Sequence, residues 1–223
     1  MFLFRRYWQI SLLTVLASSI AACSMQLAPQ PYPSPLPSAT PATPSSTIAW
    51  NSILRTTSAP SGWQVSPCEN LTLLCVQSNG QLVGTVELFT SSIAGSEFEK
   101  LLSEAGGSRE AALQAWVQNH YDSIKRDRAT GIPNVEFTLQ PPTAVTLGQL
   151  PGLRYEFASR QSNNILYERT IGYVASDNDT LYVIVTGLIN GDPAGTFSDN
   201  ADLQEFQPHL DRIVAGLNLP VDR

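Results

Sequence analysis

The sequence predicts an α+β fold, an antiparallel sheet with helices packed on it. Three observations point there. Apolar runs of strand length follow one another hairpin to hairpin, with too little chain between them for repeated crossover helices. Over roughly residues 109–127 the apolar period changes to steps of three and four. A second stripe of the same period, Leu203 to Leu217, lies near the C-terminus. Strands first paired locally and then covered by a few helices make a layered sandwich, not a βαβ array.

Composition bounds the rest. The chain has 223 residues, 43% hydrophobic and 14% charged, enough for one well-buried core and too apolar for disorder throughout. Its 13 basic and 19 acidic side chains give a net charge of −6, the opposite of a nucleic-acid footprint. One long apolar stretch exists, at the extreme N-terminus, which excludes a multi-span membrane protein.

That stretch has the three parts of an export signal. Arg5 and Arg6 form a basic start, Tyr7 to Ile20 is largely apolar, and small residues lead to Cys23. The apolar part is short for a stable span, which needs about 20 residues. Ile20-Ala21-Ala22-Cys23 resembles the bacterial lipobox, which implies cleavage before Cys23 and acylation of its thiol and new amino terminus. An ordinary cleaved signal and a retained single span are the alternatives. Removing residues 1–22 takes away two arginines and no acid, leaving 11 basic and 19 acidic groups and a charge of −8. Such a body gains nothing from an anionic bilayer, so attachment would rest on the lipid.

Residues 23–47 read as a tether. Seven of the sixteen positions from Pro29 to Pro44 are proline, and no charge occurs from Met25 to Leu54. Proline at this density favours extended polyproline II, a spacer that reaches tens of ångströms at about 3.1 Å per residue. A ligand for a proline-recognition module is the alternative.

The globular part spans 48–223. Cys68 and Cys75 remain after lipidation, flanked by strand signals at Trp63–Val65 and Leu71–Gln77, with Pro67 and Asn70 supplying a turn. In an oxidising compartment a disulfide is sterically reasonable, and two buried free thiols are the alternative. The spacing is not the C-x-x-C of redox catalysts. Ser78-Asn79-Gly80-Gln81 predicts a hairpin turn and Leu82–Phe89 a half-buried strand. Behind Ser108 as N-cap, Leu113, Trp116, Val117, His120, Tyr121 and Ile124 predict one amphipathic helix, with Lys125, Arg126 and Arg128 near its negative end.

A second strand block follows. Val135–Leu139 and Val145–Leu147 flank a break at Pro141-Pro142, and Leu153–Ala158, Leu166–Ala175 and Leu181–Ile189 complete it. Ser176-Asp177-Asn178-Asp179 joins the last two runs as a turn. A Gly-, Asp-, Asn- and Ser-rich loop over 190–200 leads to the last helix, which Pro208 is expected to kink or divide.

Candidate chemistry is sparse. His120 sits on an apolar stripe and reads as a core-edge residue, with no ligand-spaced partner for a metal. His209 reads as solvated surface. Asp177 and Asp179 suit a turn, and Asp192, Asp199 and Asp202 suit loop and cap positions, with a calcium site as the less regular alternative. Arg154, Glu156, Glu168 and Arg169 are placed for cross-strand ion pairs, and Tyr155, Tyr167, Tyr173 and Tyr182 for a half-buried sheet or a ligand-lining face. Sequons at Asn70 and Asn178 read as incidental beside a lipobox. No nucleophile elbow, phosphate loop or His-Glu-x-x-His helix occurs.

Over residues 60–219 the chain resembles the PsbP-like group of lumenal and periplasmic proteins. The resemblance lies in Ser61-Gly62-Trp63, the hairpin across Asn79-Gly80, and Phe206-Gln207-Pro208-His209-Leu210 followed by Ile213-Val214-Ala215-Gly216-Leu217. It implies an α+β domain, lipid-anchored at the thylakoid and associated with photosystem II assembly or maintenance. The Cys68 and Cys75 pair is not part of that group's pattern, and no metal-binding residue carries over. The expectation is therefore an extracytoplasmic accessory or assembly protein, held to its membrane by lipid on Cys23 and docking on a membrane complex without catalysis or cofactor. The binding surface would be the sheet face or the 190–200 loop. A small-ligand carrier or sensor with a Tyr-lined pocket is the alternative. A hydrolase would need a nucleophile within hydrogen-bond reach of His120 or His209.

Overall fold

Asn79 and Gly80 both take positive φ, 51° and 77°. Positive φ at both central residues makes a two-residue hairpin whose twist matches that of its strands. The turn joins β2 (Leu73–Ser78) to β3 (Gln81–Ser92), and β1 (Trp63–Pro67) pairs with the other edge of β2. The structure is a computed structural model in which the described residues are 48–131, 135–161, 164–189 and 195–220. All lie within Pro44–Arg223, one of two units into which the chain divides. The signal predicted over 1–22, Cys23, and the tether over 23–47 lie outside the described residues.

The second strand block forms a meander of β4 (Val135–Leu147), β5 (Leu150–Gln161), β6 (Leu166–Ser176) and β7 (Thr180–Ile189). Its last turn is built by Asp177, whose Oδ1 accepts the N–H groups of Asp179 at 2.8 Å and Thr180 at 2.7 Å. The two meanders join along β3 and β7 into one seven-stranded sheet, β1-β2-β3-β7-β6-β5-β4, antiparallel throughout. The predicted α+β class is what the chain adopts.

Helices cover the sheet on both faces. On one face α4 (Asn200–Ala215), N-capped by Asp199, buries Leu203, Phe206, Leu210, Ile213 and Val214. They pack against Val76, Val86, Tyr173 and Ile184, and α1 (Trp50–Ile53) adds two fully buried side chains to the same core. On the other face α3 (Arg109–Gly131) and α2 (Glu97–Glu104) pack Phe98, Leu113, Val117 and Tyr121 on Tyr155, Phe157 and Val174. Gly172 is needed here: a Cβ on it would fall 2.0 Å from the Tyr155 ring, its cross-strand neighbour.

Three expectations change. The Pro141-Pro142 break is a bulge within one continuous β4, with register shifting between Gln140 and Thr143. Prolines lack the amide that a ladder needs, and the Tyr121 hydroxyl fills the gap. It donates to Gln140 O at 2.9 Å and accepts from the Glu156 N–H at 3.2 Å. Pro208 does not divide the last helix, which runs unbroken through it. The ring costs the Gln204 carbonyl its helical donor, and the sequence-wide apolar stripe holds the helix to the sheet regardless. The described part of the 190–200 loop is built into the sheet, in the gap where β3 and β7 diverge. Thr85 N–H donates to Thr196 O (2.9 Å), Ser198 N–H to Val83 O (3.1 Å) and Phe197 N–H to Gly187 O (2.6 Å).

Candidate functional site: an uncovered sheet face

Strand alternation puts Val86 and Leu88 of β3 toward α4, so Glu87 and Phe89 must face the other way. The register confirms the side: Phe89 lies opposite Val183 and Glu87 opposite Val185, both on the α3 face. There α2 and α3 cover β5, β6 and β7, but their core includes no residue of β1, β2 or β3. Among the described residues, that leaves half of one sheet face without a helix.

The bare half carries apolar side chains. Phe89 is 50% exposed and Leu82, opposite Gln77, 58%. Leu73, opposite Glu87, is half-buried. Leu71, 53% exposed, precedes β2 in a turn whose Thr72 carbonyl accepts the Leu88 N–H at 2.9 Å, next to Phe89. Two of the five exposed large hydrophobics of the described residues, Leu82 and Phe89, therefore belong to the β2–β3 hairpin, and Leu71 precedes it. Beyond Phe89 the strand end opens into a groove of about 370 Å³ that Ile48, Thr90, Ser92, Glu99 and Asp179 help to line. The sequence signal for this surface was an apolar residue, Phe89, on the outward parity of a strand already supplied with inward Val86 and Leu88.

The predicted cysteines meet: Cys68 and Cys75 form a disulfide, with Cα atoms 5.2 Å apart. It closes the β1–β2 hairpin at the edge of the bare face. His120 lies as expected at the margin of the α3 core, stacked on Trp116 at 5.2 Å and edge-on to Tyr155 at 5.4 Å. Burial pushes its pKa down, which favours the neutral ring. It opens on a polar groove shared with Glu97, Asp122 and Arg126.

His209 corrects the expectation of a solvated residue. It is half-buried, with Ser58 Oγ 2.8 Å from its Nδ1, because the loop between α1 and β1 lies against α4. A serine in reach of a histidine is one requirement of nucleophilic catalysis; an orienting carboxylate is another. Among the described residues no carboxylate hydrogen-bonds to His209, and the described pockets are lined by other side chains.

The ion pairs follow the expected cross-strand pattern in part, since Glu156 on β5 meets Arg169 on β6. Glu168 faces α3, where its buried carboxylate takes both arms of Arg128 at 2.9 and 3.0 Å. Glu156 faces α4 and bridges Arg154 (2.8 Å) and Arg169 (2.9 Å). Arg169 reaches Gln207 at 2.9 Å and Tyr173 donates to Asp211 at 2.6 Å, so this network fastens α4 to the sheet. Burial, and then donation to the Asp211 carboxylate, raise the Tyr173 pKa. Alternation explains the difference: residues 168 and 169 necessarily point to opposite faces.

Tyr155, Tyr173 and Tyr182 are core residues, exposed by at most 1%, and no tyrosine lines the described pockets. Among the described residues no cluster of three or more His, Cys, Asp or Glu side chains is placed to hold a metal ion. Asp199 is a helix cap, bonded to the Ala201 N–H, and Asp192 lies outside the described residues. No described helix is long and apolar enough to cross a membrane.

No family model matches the chain, and no curated protein does. Among solved structures it is similar to cyanobacterial PsbP from Synechocystis sp. PCC 6803, with 10% identity and a TM-score of 0.41 over 71% of this chain and 82% of that one. A crystal structure from Bacteroides thetaiotaomicron VPI-5482 aligns with 9% identity and a TM-score of 0.32, covering 73% of this chain and 43% of that protein. Both are weak likenesses of architecture.

Proposed function

We propose that this chain is a lipid-anchored, extracytoplasmic accessory protein that docks on a membrane complex and catalyses no reaction. The observation that carries the reading is the β1–β3 face that no helix covers, with its exposed Leu82 and Phe89. A large contiguous apolar patch marks a contact surface, and Leu82 and Phe89 are exposed apolar side chains on one face of one strand. The arrangement Arg5-Arg6, Tyr7 to Ile20 and Ile20-Ala21-Ala22-Cys23 supports an acylated Cys23, and the proline-rich 23–47 supports a spacer that lets the domain reach a neighbour. Two or three acyl chains on Cys23 would hold the protein stably at a bilayer.

The test has two arms. Radiolabelled palmitate is expected to enter the wild-type chain but not Cys23→Ser, and the variant is expected to leave the membrane pellet. A Cys23→Ser protein that still sediments with vesicles would end the anchoring claim. In intact cells, crosslinking followed by mass spectrometry is expected to recover one membrane protein in stoichiometric yield, and recovery of none would end the docking claim.

A further inference from the structure

Leu113 of α3 and Leu153 of β5 belong to the core on the α3 side of the sheet. Register sets Ala144 of β4 opposite Leu153, and Pro151 lies two residues before it, so all three point to the same face. Leu113 and Leu153 are buried, whereas Ala144 and Pro151 are exposed. Between the first turn of α3 and these strands runs a groove of about 240 Å³, walled by Leu113, Ala144, Pro151 and Leu153 and bordered by Arg109 and Glu110.

The guanidinium at this groove is only partly engaged. Arg109 Nη2 donates to Asn178 Oδ1 at 3.1 Å, which ties the start of α3 to the β6–β7 turn. Arg109 Nε is buried and has no hydrogen-bond partner among the described residues. A charged donor shut off from water without an acceptor is unfavourable. Its fork of N–H groups matches a carboxylate. The other charge at the groove, Glu110, is turned along the helix, with Gln114 Nε2 3.5 Å from its Oε1.

We infer that this groove binds a small aliphatic monocarboxylate, its chain against Leu113, Ala144, Pro151 and Leu153 and its head on Arg109. One cation beside one narrow apolar trough matches one anionic head on one short chain, and the volume is below that of pockets for drug-sized ligands. Burial of the chain provides most of the affinity, while the charge-assisted hydrogen bond selects an acid over an alcohol or an amine. The groove shares no residue with the bare β1–β3 face, so its ligand is independent of the docking reading.

The probe is hexanoate, with hexanol and hexylamine as counterparts of equal chain length, titrated against the full chain in phosphatidylcholine nanodiscs. Amide chemical shifts of residues 109–113 and 152–154 report the groove itself, so probe taken up by the lipid does not register. Hexanoate is expected to give a saturable one-site shift, and hexanol and hexylamine to bind about tenfold more weakly or worse. Each methylene added from butanoate to hexanoate is expected to tighten binding about fourfold. Arg109→Gln is expected to reduce hexanoate to the level of hexanol. Ala144→Phe, which fills the groove from an exposed position, is expected to abolish binding of every probe. Glu110→Gln is expected to leave hexanoate binding equal or tighter, and Asn178→Ala, which spares the cation, to retain it. Hexanol binding as well as hexanoate, unchanged binding in Arg109→Gln or Ala144→Phe, or tighter binding of a peptide through a C-terminal leucine carboxylate would each overturn the inference.

Discussion

Two tyrosine hydroxyls have opposite energetic signs. The Tyr121 hydroxyl donates to the Gln140 carbonyl and accepts from the Glu156 amide, beside the Pro141-Pro142 bulge. The Tyr155 hydroxyl is buried with no hydrogen-bond partner among the described residues. Removing a hydroxyl that serves partly buried backbone groups exposes part of their desolvation cost, whereas removing a buried unpartnered one relieves it. Tyr121→Phe is therefore expected to cost about 1–3 kcal/mol, and Tyr155→Phe to leave stability unchanged or raised, both measured by urea unfolding. Equal destabilisation by the two substitutions would refute the assignment. Sequence periodicity placed both side chains in the interior. It carried no sign of which hydroxyl would find partners, because the partners of Tyr121 come from strands far along the chain.

At the scale of elements, local chemistry explains which segments were legible. The Asn79-Gly80 turn, the Ser108 start of α3 and the Asp199 cap are each decided by a few adjacent residues. The helix α2 went unrecognised because it is eight residues long and buries only Phe98 and Leu101. Its readable signal was a capping box, Ser96 with Glu99: Ser96 Oγ accepts the Glu99 N–H at 3.3 Å while Glu99 reaches back to the Gly95 N–H at 2.7 Å. The β1–β2 hairpin has a different dependence. It lies at the sheet edge with no helix on one face, and its disulfide links residues seven apart. Replacing both cysteines by serine is expected to lower stability by about 2–3 kcal/mol, the loop-closure entropy for so short a ring. A urea midpoint equal to that of the wild type would show that strand pairing alone holds this edge.

The described residues form one sheet between two separate cores. Ile53 belongs to the α4 side and Leu113 to the α3 side, both nearly fully buried. Because the sheet is continuous, unfolding is expected to be a single cooperative transition. Because no side chain belongs to both cores, the two sides should respond independently to small losses of volume. Ile53→Ala and Leu113→Ala are each expected to cost about 2–5 kcal/mol, and the double variant to match their sum within roughly 0.5 kcal/mol. A larger deviation from additivity, or two resolved unfolding transitions, would contradict this picture. The bare face follows from the same geometry: a seven-stranded sheet is wider than α2 and α3 together can cover.

Taken alone, the sequence determined what depends on neighbours a few residues apart. Strands, turns, caps, the two amphipathic stripes and the α+β class all follow from short-range periodicity and backbone preference. Only the tertiary structure decided that β3 pairs with β7, that Glu168 and Glu156 serve opposite faces, that Ser58 meets His209, and that Phe89 is left uncovered. Each of these depends on which distant segment comes to lie alongside, and a strand's own alternation is silent about whether anything packs on its outward side.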